Sequence, residues 1–468
     1  MTAADVLAAK GKGAAVVWGT ATAVGAMGAA MGAEAANPPD DFAGRYRRWR
    51  RAYYARFPAF WATLPGESVE EYAVYGALAI SRRQASALRT AAARLYPLLT
   101  RLAAALQHTD DATLLRLGLP AATLPYARVV LPQMAAVMCG RFEFAMTVGG
   151  PKLLEFNAET PTFVVELFHM NGQVCADFGL ADPNHGCEAQ LAGALHNAIT
   201  AGVAWLAPAP VAAPSVVFTS YAHLREERAT TEYYQSLLDG ERPYRLAYAG
   251  LDELRVTPDG LTTADGVRVD VLYKLYPTEH LVEDEAPDGT PVGLALMDLV
   301  RQRRLAIINP PIAFVLQCKA LMALLWALYL TQDALFTPAE HQWLARYLLP
   351  TYLEAVDAAG QPLFAGRYVV KPVYGREGLS VTIRDAHTVI ERSAGDLYDA
   401  QVMVHQQFVS LPTTTLQTEI GRTEVSLVHN CFVVGGQPSA IGVRAARKLI
   451  FDDASYFVPV CYPTGGQS

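Results

Sequence analysis

Apolar residues recur at spacings of three and four along the first part of the chain, which is the period of a helix with one buried face. The clearest such run contains Leu88, Ala91, Ala92, Leu95, Leu98, Leu99, Leu102 and Ala103. The pattern predicts a helical N-terminal region over residues 37–130, beginning at the break formed by Pro38-Pro39. Before this break, residues 1–36 are rich in Ala and Gly, and no charge occurs between Ala14 and Ala33. We expect a flexible tail there, with a signal peptide or a weak membrane anchor as the alternative.

Short β-like runs alternate with helical patterns in the middle of the chain. Residues 141–146 and 152–157 predict two strands, which Gly149-Gly150 would join into a hairpin. Further strands are predicted at residues 215–219, 244–248 and 267–275, and helices at residues 226–238 and 315–331. The last third is rich in strands, predicted at residues 368–372, 380–383, 402–404, 425–428, 431–434 and 457–460. This alternation predicts a mixed α/β fold with βαβ units.

Composition and charge exclude several classes of protein. The chain is 52% hydrophobic and 18% charged, so it is not disordered over its whole length. Its net charge of −7 argues against a dedicated nucleic-acid binder. The basic and aromatic run at residues 45–51 leaves a nucleic-acid or lipid patch open as an alternative to a solvated helix face. The six cysteines are widely spaced without a CxxC pair, which favours buried thiols in a reducing compartment.

Charged and amide side chains cluster in the predicted hairpin. Arg141 and Glu143 lie two residues apart, as do Glu155 and Asn157, so each pair shares one face of its strand. Glu159 follows shortly after. Carboxylate and amide oxygens suit Mg²⁺, and the arginine could hold a phosphate or a carboxylate. A set of cross-strand salt bridges remains an equal alternative on spacing alone.

A second candidate site follows the strand predicted at residues 368–372. Lys371 ends this strand, and a loop bounded by Gly375 and Gly378 comes next and carries Arg376. Glycines let backbone N–H groups approach a phosphate closely, and the two cations would complement its charge. The loop matches neither the Walker A nor the dinucleotide-binding pattern. A surface hairpin with a salt-bridged arginine is the structural alternative.

Six motifs in fixed order resemble those of the glutathionylspermidine synthase family. They are residues 154–162 (LEFNAETPT), Glu226-Glu227-Arg228, residues 273–279 (YKLYPTE), Pro311 to Trp326 with Lys319, residues 371–378 (KPVYGREG) and residues 441–444 (IGVR). The resemblance covers about residues 45–459. It implies an ATP-grasp fold with a preATP-grasp-like α/β region at residues 131–305 and an ATP-grasp nucleotide-binding region at residues 306–468.

The resemblance also implies an activity: formation of an amide from a carboxylate and an amine, using ATP and Mg²⁺, through an acyl phosphate. By resemblance, the Mg²⁺ ligands would be Glu143, Glu155 and Asn157. The ATP-binding residues would be Lys319, Lys371, Gly375, Arg376, Glu377, Gly378, Gln406 and Gln407. The residues at the reacting phosphoryl group would be Arg141, Arg444 and Arg376. The residues on the substrate side would be Thr160, Thr162, Glu226, Glu227 and Lys274.

The chain departs from the family pattern near its C-terminus. Ala445-Ala446 follow Arg444 where the family has Glu-Asp, and Tyr456 replaces an arginine. We expect these changes to alter the wall near the reacting acyl group, and therefore the substrate more than ATP binding. They also favour an alternative function, that of a non-catalytic ATP-binding partner or scaffold protein.

The expected substrates are a small-molecule or peptide carboxylate and an amine, with no nucleic-acid partner. We expect a cytoplasmic protein without firm membrane association; attachment through the tail is the alternative. No amidase block precedes the ligase motifs, so hydrolysis of the product is not expected.

Overall fold

The computed structural model describes residues 16–17, 42–64, 70–210, 213–240, 242–386 and 388–463. The tail predicted at residues 1–36 therefore lies outside the described residues, except for Val16–Val17. In the described part, the α-helices are α1 (Phe42–Tyr54), α2 (Arg82–Leu106), α3 (Asp111–Arg116), α4 (Leu124–Ala127), α5 (Asn171–Asp177), α6 (Cys187–Trp205), α7 (Arg225–Ser236), α8 (Thr278–Leu281), α9 (Val292–Arg301), α10 (Ile312–Gln317), α11 (Ala320–Leu330) and α12 (Pro338–Tyr347). A π-helical turn, Glu166–Met170, precedes α5.

The strands of the described part form several sheets. They are β1 (Val16–Val17), β2 (Thr63–Leu64), β3 (Glu70–Glu71), β4 (Ala77–Ala79), β5 (Cys139–Thr147), β6 (Gly150–Asn157), β7 (Ser215–Thr219), β8 (Arg245–Tyr248), β9 (Leu254–Thr257), β10 (Gly260–Thr263), β11 (Arg268–Val269), β12 (Val271–Lys274), β13 (Ala306–Ile308), β14 (Thr351–Tyr352), β15 (Arg367–Pro372), β16 (Thr382–Asp385), β17 (Thr388–Arg392), β18 (Met403–Gln407), β19 (Thr413–Thr418), β20 (Gly421–Val434), β21 (Gln437–Ala446), β22 (Tyr456–Val458) and β23 (Val460–Cys461).

The central antiparallel sheet joins early and late parts of the chain. Its order is β22-β21-β20-β5-β6, with β19 paired to β20. The predicted hairpin is confirmed, because β5 and β6 pair in antiparallel register. At the turn between them Gly150 adopts a positive φ of 107°, which glycine tolerates. The predicted strands at residues 425–428 and 431–434 are one strand, β20, and Gly435-Gly436 turn it into β21.

A parallel sheet confirms the predicted βαβ units. Its order is β13-β12-β7-β8, and every pair in it is parallel. The strands β7 and β12 are buried along their whole length, as expected for a parallel sheet covered on both faces. A third sheet, antiparallel with the order β14-β18-β15-β16-β17, carries the predicted phosphate loop after β15.

The structure corrects two helix predictions. The region predicted to be helical over residues 37–130 contains the strands β2 to β4 between α1 and α2. The helix α2 is buried against β20 and β21, so its apolar stripe belongs to the core of the central sheet. The helix predicted at residues 315–331 is two helices, α10 and α11, separated at Cys318-Lys319.

Three further observations bear on the sequence predictions. All six cysteines are free and buried, as predicted. The basic run lies on α1, where Arg50 is 1% exposed and pairs with Glu71 and Glu419. At least this arginine is therefore part of the core rather than of a binding surface. No helix in the described part combines the length and the apolarity that crossing a membrane requires.

Candidate active site

A cleft of about 500 Å³ lies between the central sheet and the antiparallel sheet β14-β18-β15-β16-β17. It brings together most of the residues that the motifs single out from distant parts of the sequence. The predicted residues that line it are Arg141, Glu143, Glu155, Asn157, Thr160, Thr162, Glu227, Lys319, Lys371, Gly375, Arg376, Glu377, Gly378, Gln406, Gln407 and Arg444. Glu226 and Lys274 are the predicted site residues that do not line it.

The β5–β6 register produces the candidate metal site. Arg141 is opposite Asn157, and Glu143 is opposite Glu155, so the four side chains form one square on the cleft face of the sheet. Arg141 Nη2 donates to Glu143 Oε1 at 2.8 Å, and Asn157 Nδ2 donates to Glu155 Oε1 at 2.9 Å. The alternative of cross-strand surface salt bridges does not hold for Arg141 and Glu143, because both are buried.

The donor set of this square fits Mg²⁺. Two carboxylates and one amide oxygen lie on neighbouring strands that line a cleft, and Mg²⁺ usually takes one or two carboxylates together with substrate phosphates. No group of three or more His, Cys, Asp or Glu side chains suited to a metal occurs in the described ranges. The set therefore resembles a site that phosphate oxygens would complete, and not a closed cage of protein ligands.

Two lysines face this square from the other side of the cleft. Lys319 Nζ lies 3.5 Å from Glu155 Oε2 and donates to Gly375 O at 2.8 Å. Lys371 Nζ donates to Gln406 Oε1 at 2.9 Å and to Leu154 O at 3.2 Å. Burial would raise the pKa of Glu155, but Lys319 and Lys371, together with the Asn157 hydrogen bond and Arg141, lower it. Burial lowers the pKa of Lys371 to about 8, against the attraction of Glu155.

The break between α10 and α11 explains the position of Lys319. Cys318 leaves the helical conformation with ψ of 117°, and the Lys319 N–H donates to Val373 O, next to the glycine loop. An uninterrupted helix would not present the lysine in this way. Apolar residues occupy every side of α11, so the sequence has no apolar stripe there whose interruption would mark the break.

The loop after β15 is held close to the cleft. Gly378 has φ of +71°, and a Cβ there would come within 2.2 Å of Phe451 O, so only glycine fits. Arg376 donates from Nη2 to Glu279 Oε1 at 2.9 Å and from Nη1 to Thr160 Oγ1 at 2.8 Å. These contacts tie the loop to the opposite wall of the cleft.

The strand β18 presents two glutamines with different environments. Gln406 is 1% exposed, and its amide is held by Lys371 and Thr351. The Gln407 side chain is exposed, and its N–H donates to Pro350 O. Phe408 follows in the same wall. The segment therefore contributes three successive residues to the cleft wall.

The substrate-side predictions fare unevenly. Thr160, Thr162 and Glu227 line the cleft, whereas Glu226 is exposed beside it. Burial raises the pKa of Glu227 to about 7, and the Glu377 carboxylate adds to the rise while Arg376 opposes it.

Lys274 is not where the motif led us to expect it. Its side chain is 2% exposed, and Nζ donates to Glu159 Oε1 at 2.6 Å, to Tyr276 O at 2.8 Å and to Thr278 Oγ1 at 3.1 Å. Burial would raise the pKa of Glu159, but Lys274 outweighs it and lowers it. The geometry makes the pair a buried support beneath the cleft floor.

The departures near the C-terminus also lie away from the cleft. Arg444 lines it, with Nη1 at 3.6 Å from Glu143 Oε1. Ala445 and Tyr456, which face each other on β21 and β22, belong instead to the hydrophobic core. The expected change in the wall near the acyl group is therefore wrong for these two positions, because they point to the opposite face of the sheet.

Two buried amides complete the site, and sequence reasoning missed both. Asn309 Nδ2 donates to the carbonyl oxygens of Cys139, Ala158 and Glu159. Gln317 Oε1 accepts from the N–H groups of Ala158 and Glu159, at 2.8 and 3.0 Å. They fix the end of β6 that carries Asn157. Sequence reasoning placed Gln317 within a predicted helix, which is not a functional signal, and it did not mark Asn309 at all.

Comparison with known proteins places these motifs in a family. The family model described as glutathionylspermidine synthase preATP-grasp matches residues 48–462. The bifunctional glutathionylspermidine synthetase/amidase of Escherichia coli (strain K12) is 22% identical over 351 residues, which cover 69% of this chain and 49% of that protein. A putative acid–amine ligase of Haemophilus influenzae is 24% identical over 344 residues, covering 68% of this chain and 73% of that protein. The chain thus spans about half the length of the E. coli relative.

A solved structure bears on the fold. The apo form of a glutathione synthetase-like effector from Globodera pallida superposes with a TM-score of 0.56 at 10% identity, covering 92% of this chain and 98% of that one. This likeness supports the mixed α/β ATP-grasp fold that the sequence predicts, and that prediction is confirmed. Because the family model matches most of the chain, the protein belongs to the glutathionylspermidine synthase preATP-grasp family.

Proposed function

We propose that the protein is an ATP- and Mg²⁺-dependent ligase that joins a carboxylate to an amine through an acyl phosphate. One observation carries the proposal: four cationic side chains surround two carboxylates on one wall of a single cleft, next to a glycine loop. Arg141 and Arg444 approach Glu143, and Lys319 and Lys371 act on Glu155. Such a concentration of charge suits phosphoryl oxygens.

The residues divide by the part of the reaction that they serve. Glu143, Glu155 and Asn157 would hold Mg²⁺, which supplies positive charge to the phosphoryl oxygens. Lys319, Lys371 and residues 375–378 would bind the phosphates, while Gln406 and Gln407 would contact the base. Arg141, Arg444 and Arg376 would stabilise the charge that develops on the transferred phosphoryl group and on the acyl phosphate.

The chemistry balances in two steps. A carboxylate oxygen attacks the γ-phosphorus of ATP, so that an O–P bond forms and ADP leaves. The ammonium ion first loses a proton to Glu227 or to solvent. The free amine then attacks the acyl carbon, the C–O bond to the phosphoryl group breaks, and inorganic phosphate leaves with the proton that the nitrogen gives up as the amide forms. Glu226 and Glu227 would attract the amine as its ammonium ion, and Thr160 and Thr162 would orient the acid. An acyl phosphate hydrolyses readily, so the loop tied down by Arg376 would exclude water.

Hydroxylamine provides a test that does not need the natural amine. It attacks acyl phosphates and gives acyl hydroxamates, so the full chain is incubated with ATP, Mg²⁺, hydroxylamine and a panel of carboxylic acids. We expect hydroxamate and ADP in equal amounts, and loss of both in Lys371→Ala and in Glu155→Gln. Arg301→Met, which removes an exposed surface pair with Asp298, is the control and should stay active.

Two results would contradict the proposal. If ATP binds but no acid in the panel supports ADP release, the non-catalytic alternative is favoured. Full activity of Lys371→Ala or Glu155→Gln would refute the roles assigned to these residues, even if the ligase activity itself were found.

A further inference from the structure

Asn430, on β20, extends the candidate metal site onto a third strand. It lies directly opposite Glu143, which is itself opposite Glu155. Residues that face each other on neighbouring strands point to the same side of a sheet. Val428 and Arg444, the next pair on that side of β20 and β21, line the cleft. Asn430 therefore lies on the cleft side of the central sheet, beside Glu143.

The side-chain oxygen of Asn430 is buried without a donor in the described structure. The residue is 0% exposed, and its Nδ2 donates to Val428 O at 3.3 Å, but no described residue donates to Oδ1. On β21 its neighbour Gly442 has no side chain, and Leu167 fills the space over this glycine. A buried acceptor without a donor costs free energy, so it points to a partner that another state of the site supplies.

Two arginines flank Asn430 on the adjacent strands. Arg141 is opposite Phe432, which is two residues after Asn430. Arg444 is opposite Val428, two residues before it. Such diagonal neighbours lie about 7–8 Å apart, a distance that a long side chain can span. The Nε of Arg141 is also buried and has no acceptor among the described residues. An unpaired donor and an unpaired acceptor thus lie on neighbouring strands of one cleft wall.

Both guanidinium groups are directed at Glu143. Arg141 Nη2 donates to its Oε1 at 2.8 Å, and Arg444 Nη1 lies 3.6 Å from the same oxygen. In the proposed reaction Glu143 would also bind Mg²⁺, and both arginines would serve the phosphoryl group. A second acceptor that carries no charge would hold a guanidinium in place and leave its positive charge for the phosphoryl oxygens. The amide oxygen of Asn430 has this property, whereas a carboxylate would not.

We infer that Asn430 is a positioning residue of the catalytic centre. Its amide oxygen accepts the Nε–H of Arg141, so that the Nη groups of this arginine face the transferred phosphoryl group with their full charge. The inference rests on the proposed function, which assigns Arg141 to the phosphoryl group. It adds a residue that lies in none of the six motifs.

The unliganded chain provides the first test. Asn430→Leu is close in size to the parent residue and removes the amide. It deletes an unpaired buried oxygen and loses only the 3.3 Å bond to Val428 O. Unfolding in guanidinium chloride should therefore give a free energy equal to or above that of the parent protein. An amide with a merely structural role would instead make the variant less stable.

Binding of a phosphoryl-transfer mimic tests the position of Arg141 without turnover. Calorimetry on the full chain with Mg²⁺ compares a non-hydrolysable ATP analogue with ADP plus aluminium fluoride, which imitates the phosphoryl group during transfer. We expect Asn430→Leu to weaken the aluminium fluoride complex by at least about tenfold and the ATP analogue by less than about threefold. In the hydroxamate assay kcat should fall by at least about tenfold, while the KM for ATP changes by less than about threefold.

Asn430→Asp shows whether the oxygen must be uncharged. This variant keeps the size and the acceptor but adds a carboxylate that would pair with Arg141. The aluminium fluoride complex should again be weakened more than the ATP analogue, because the guanidinium charge is partly neutralised. If Asn430→Asp binds the aluminium fluoride complex as tightly as the parent protein does, an uncharged acceptor is not needed and the inference fails.

Glu166 is another buried acceptor near the two arginines. Tyr72 donates to its Oε1 at 2.5 Å, and its Oε2 has no partner in the described part of the chain. Burial raises the pKa of Glu166, and Arg141 and Arg444 oppose the rise. Glu166→Gln therefore distinguishes the two acceptors. A preferential loss of the aluminium fluoride complex in Glu166→Gln, with none in Asn430→Leu, would assign Arg141 to Glu166 and overturn the inference.

His429→Phe is the matched control. His429 precedes Asn430 on β20 and lies opposite Phe144 and Val443, which belong to the hydrophobic core on the other side of the sheet. It is buried, and its Nδ1 has no partner within the described ranges. Both affinities should be unchanged in this variant. A preferential loss as large as that of Asn430→Leu would show a general effect on the strand and contradict the inference.

The outcomes separate the inference from the proposed function. An unchanged ratio of the two affinities in Asn430→Leu, or a loss of its unfolding free energy, would overturn the inference. Failure of the proposed function appears instead as a parent chain that forms no hydroxamate with any acid. The affinity ratio still measures the role of Asn430 in that case, because neither complex turns over. A parent chain that binds neither complex would contradict both.

Discussion

Replacing Lys274 with methionine distinguishes a buried support from a substrate-binding residue. The side chains of Lys274 and Glu159 are 2% and 3% exposed, and the ammonium makes three hydrogen bonds within the protein. Methionine keeps the apolar stem and removes the charge. Glu159 would then be a buried carboxylate that retains only the N–H and hydroxyl of Thr278 as donors.

The magnitude follows from this burial. Removing one partner of a buried ion pair costs about 3–5 kcal/mol, because the remaining charge is desolvated without compensation. We therefore expect Lys274→Met to lower the free energy of unfolding by about 3–5 kcal/mol at pH 8. Glu159→Gln in the same chain removes the unpaired charge, and the double variant should recover a large part of this loss.

The sign of the pH dependence provides a second readout. In the parent protein Lys274 lowers the pKa of Glu159 below its usual 4.5, so the pair stabilises the fold above that pH and less as the pH falls through the lowered pKa. In Lys274→Met, burial raises the Glu159 pKa above the unfolded value. The variant's deficit should therefore shrink as the pH falls from 8 towards 5, because the carboxyl becomes protonated.

Guanidinium unfolding followed by tryptophan fluorescence measures these values. Arg228→Met is the matched control, because the exposed pair of Arg228 and Glu232 contributes only about 0.5 kcal/mol. A loss below about 1 kcal/mol in Lys274→Met, together with a loss of affinity for the acid, would refute the structural role. It would restore the expectation that Lys274 binds the substrate.

Three further predictions test other parts of the site and its support. Burial raises the pKa of Glu227 to about 7, so this carboxylate becomes charged as the pH rises from 6 to 8. The KM for the amine should therefore fall over that interval, and a KM that rises would contradict the role of Glu227. Gly442→Ala places a Cβ about 2.2 Å from Leu167 Cδ2 and should cost about 1–3 kcal/mol of unfolding free energy, so an unchanged unfolding midpoint would refute this close approach. Glu419→Gln weakens the pairing of the buried Arg50 and should cost about 3 kcal/mol, measured in the same way; a stable variant would show that Glu71 alone is a sufficient partner.

The local patterns were enough to predict the half of the site that lies on the hairpin. Residues two apart share a strand face, and the Gly149-Gly150 turn sets the pairing, so Glu143 and Glu155 could be expected to oppose each other. The glycine loop after Lys371 could also be recognised in the sequence, because its conformation needs glycine, as at Gly378 with its positive φ. The meeting of hairpin and loop in one cleft came only from the family resemblance.

Other features depend on long-range contacts that no local pattern reports. Lys274 has the sequence context of a site residue, and only the packing of Glu159 and Thr278 around it reveals its burial. The helix break at Lys319 is hidden within a uniformly apolar run. The divisions of the chain near residues 130 and 305 stay a prediction, although α2 shares its core with the late strands β20 and β21.

Transfer of ¹⁸O from the acid to phosphate tests the central claim most directly. An acid labelled in both carboxylate oxygens is incubated with the full chain, ATP, Mg²⁺ and hydroxylamine, and the released phosphate is analysed by mass spectrometry. Because the carboxylate oxygen that attacks the γ-phosphorus leaves with it, the account predicts one ¹⁸O in each phosphate released and ADP as the other product. Unlabelled phosphate, or AMP and pyrophosphate in place of ADP, would contradict it.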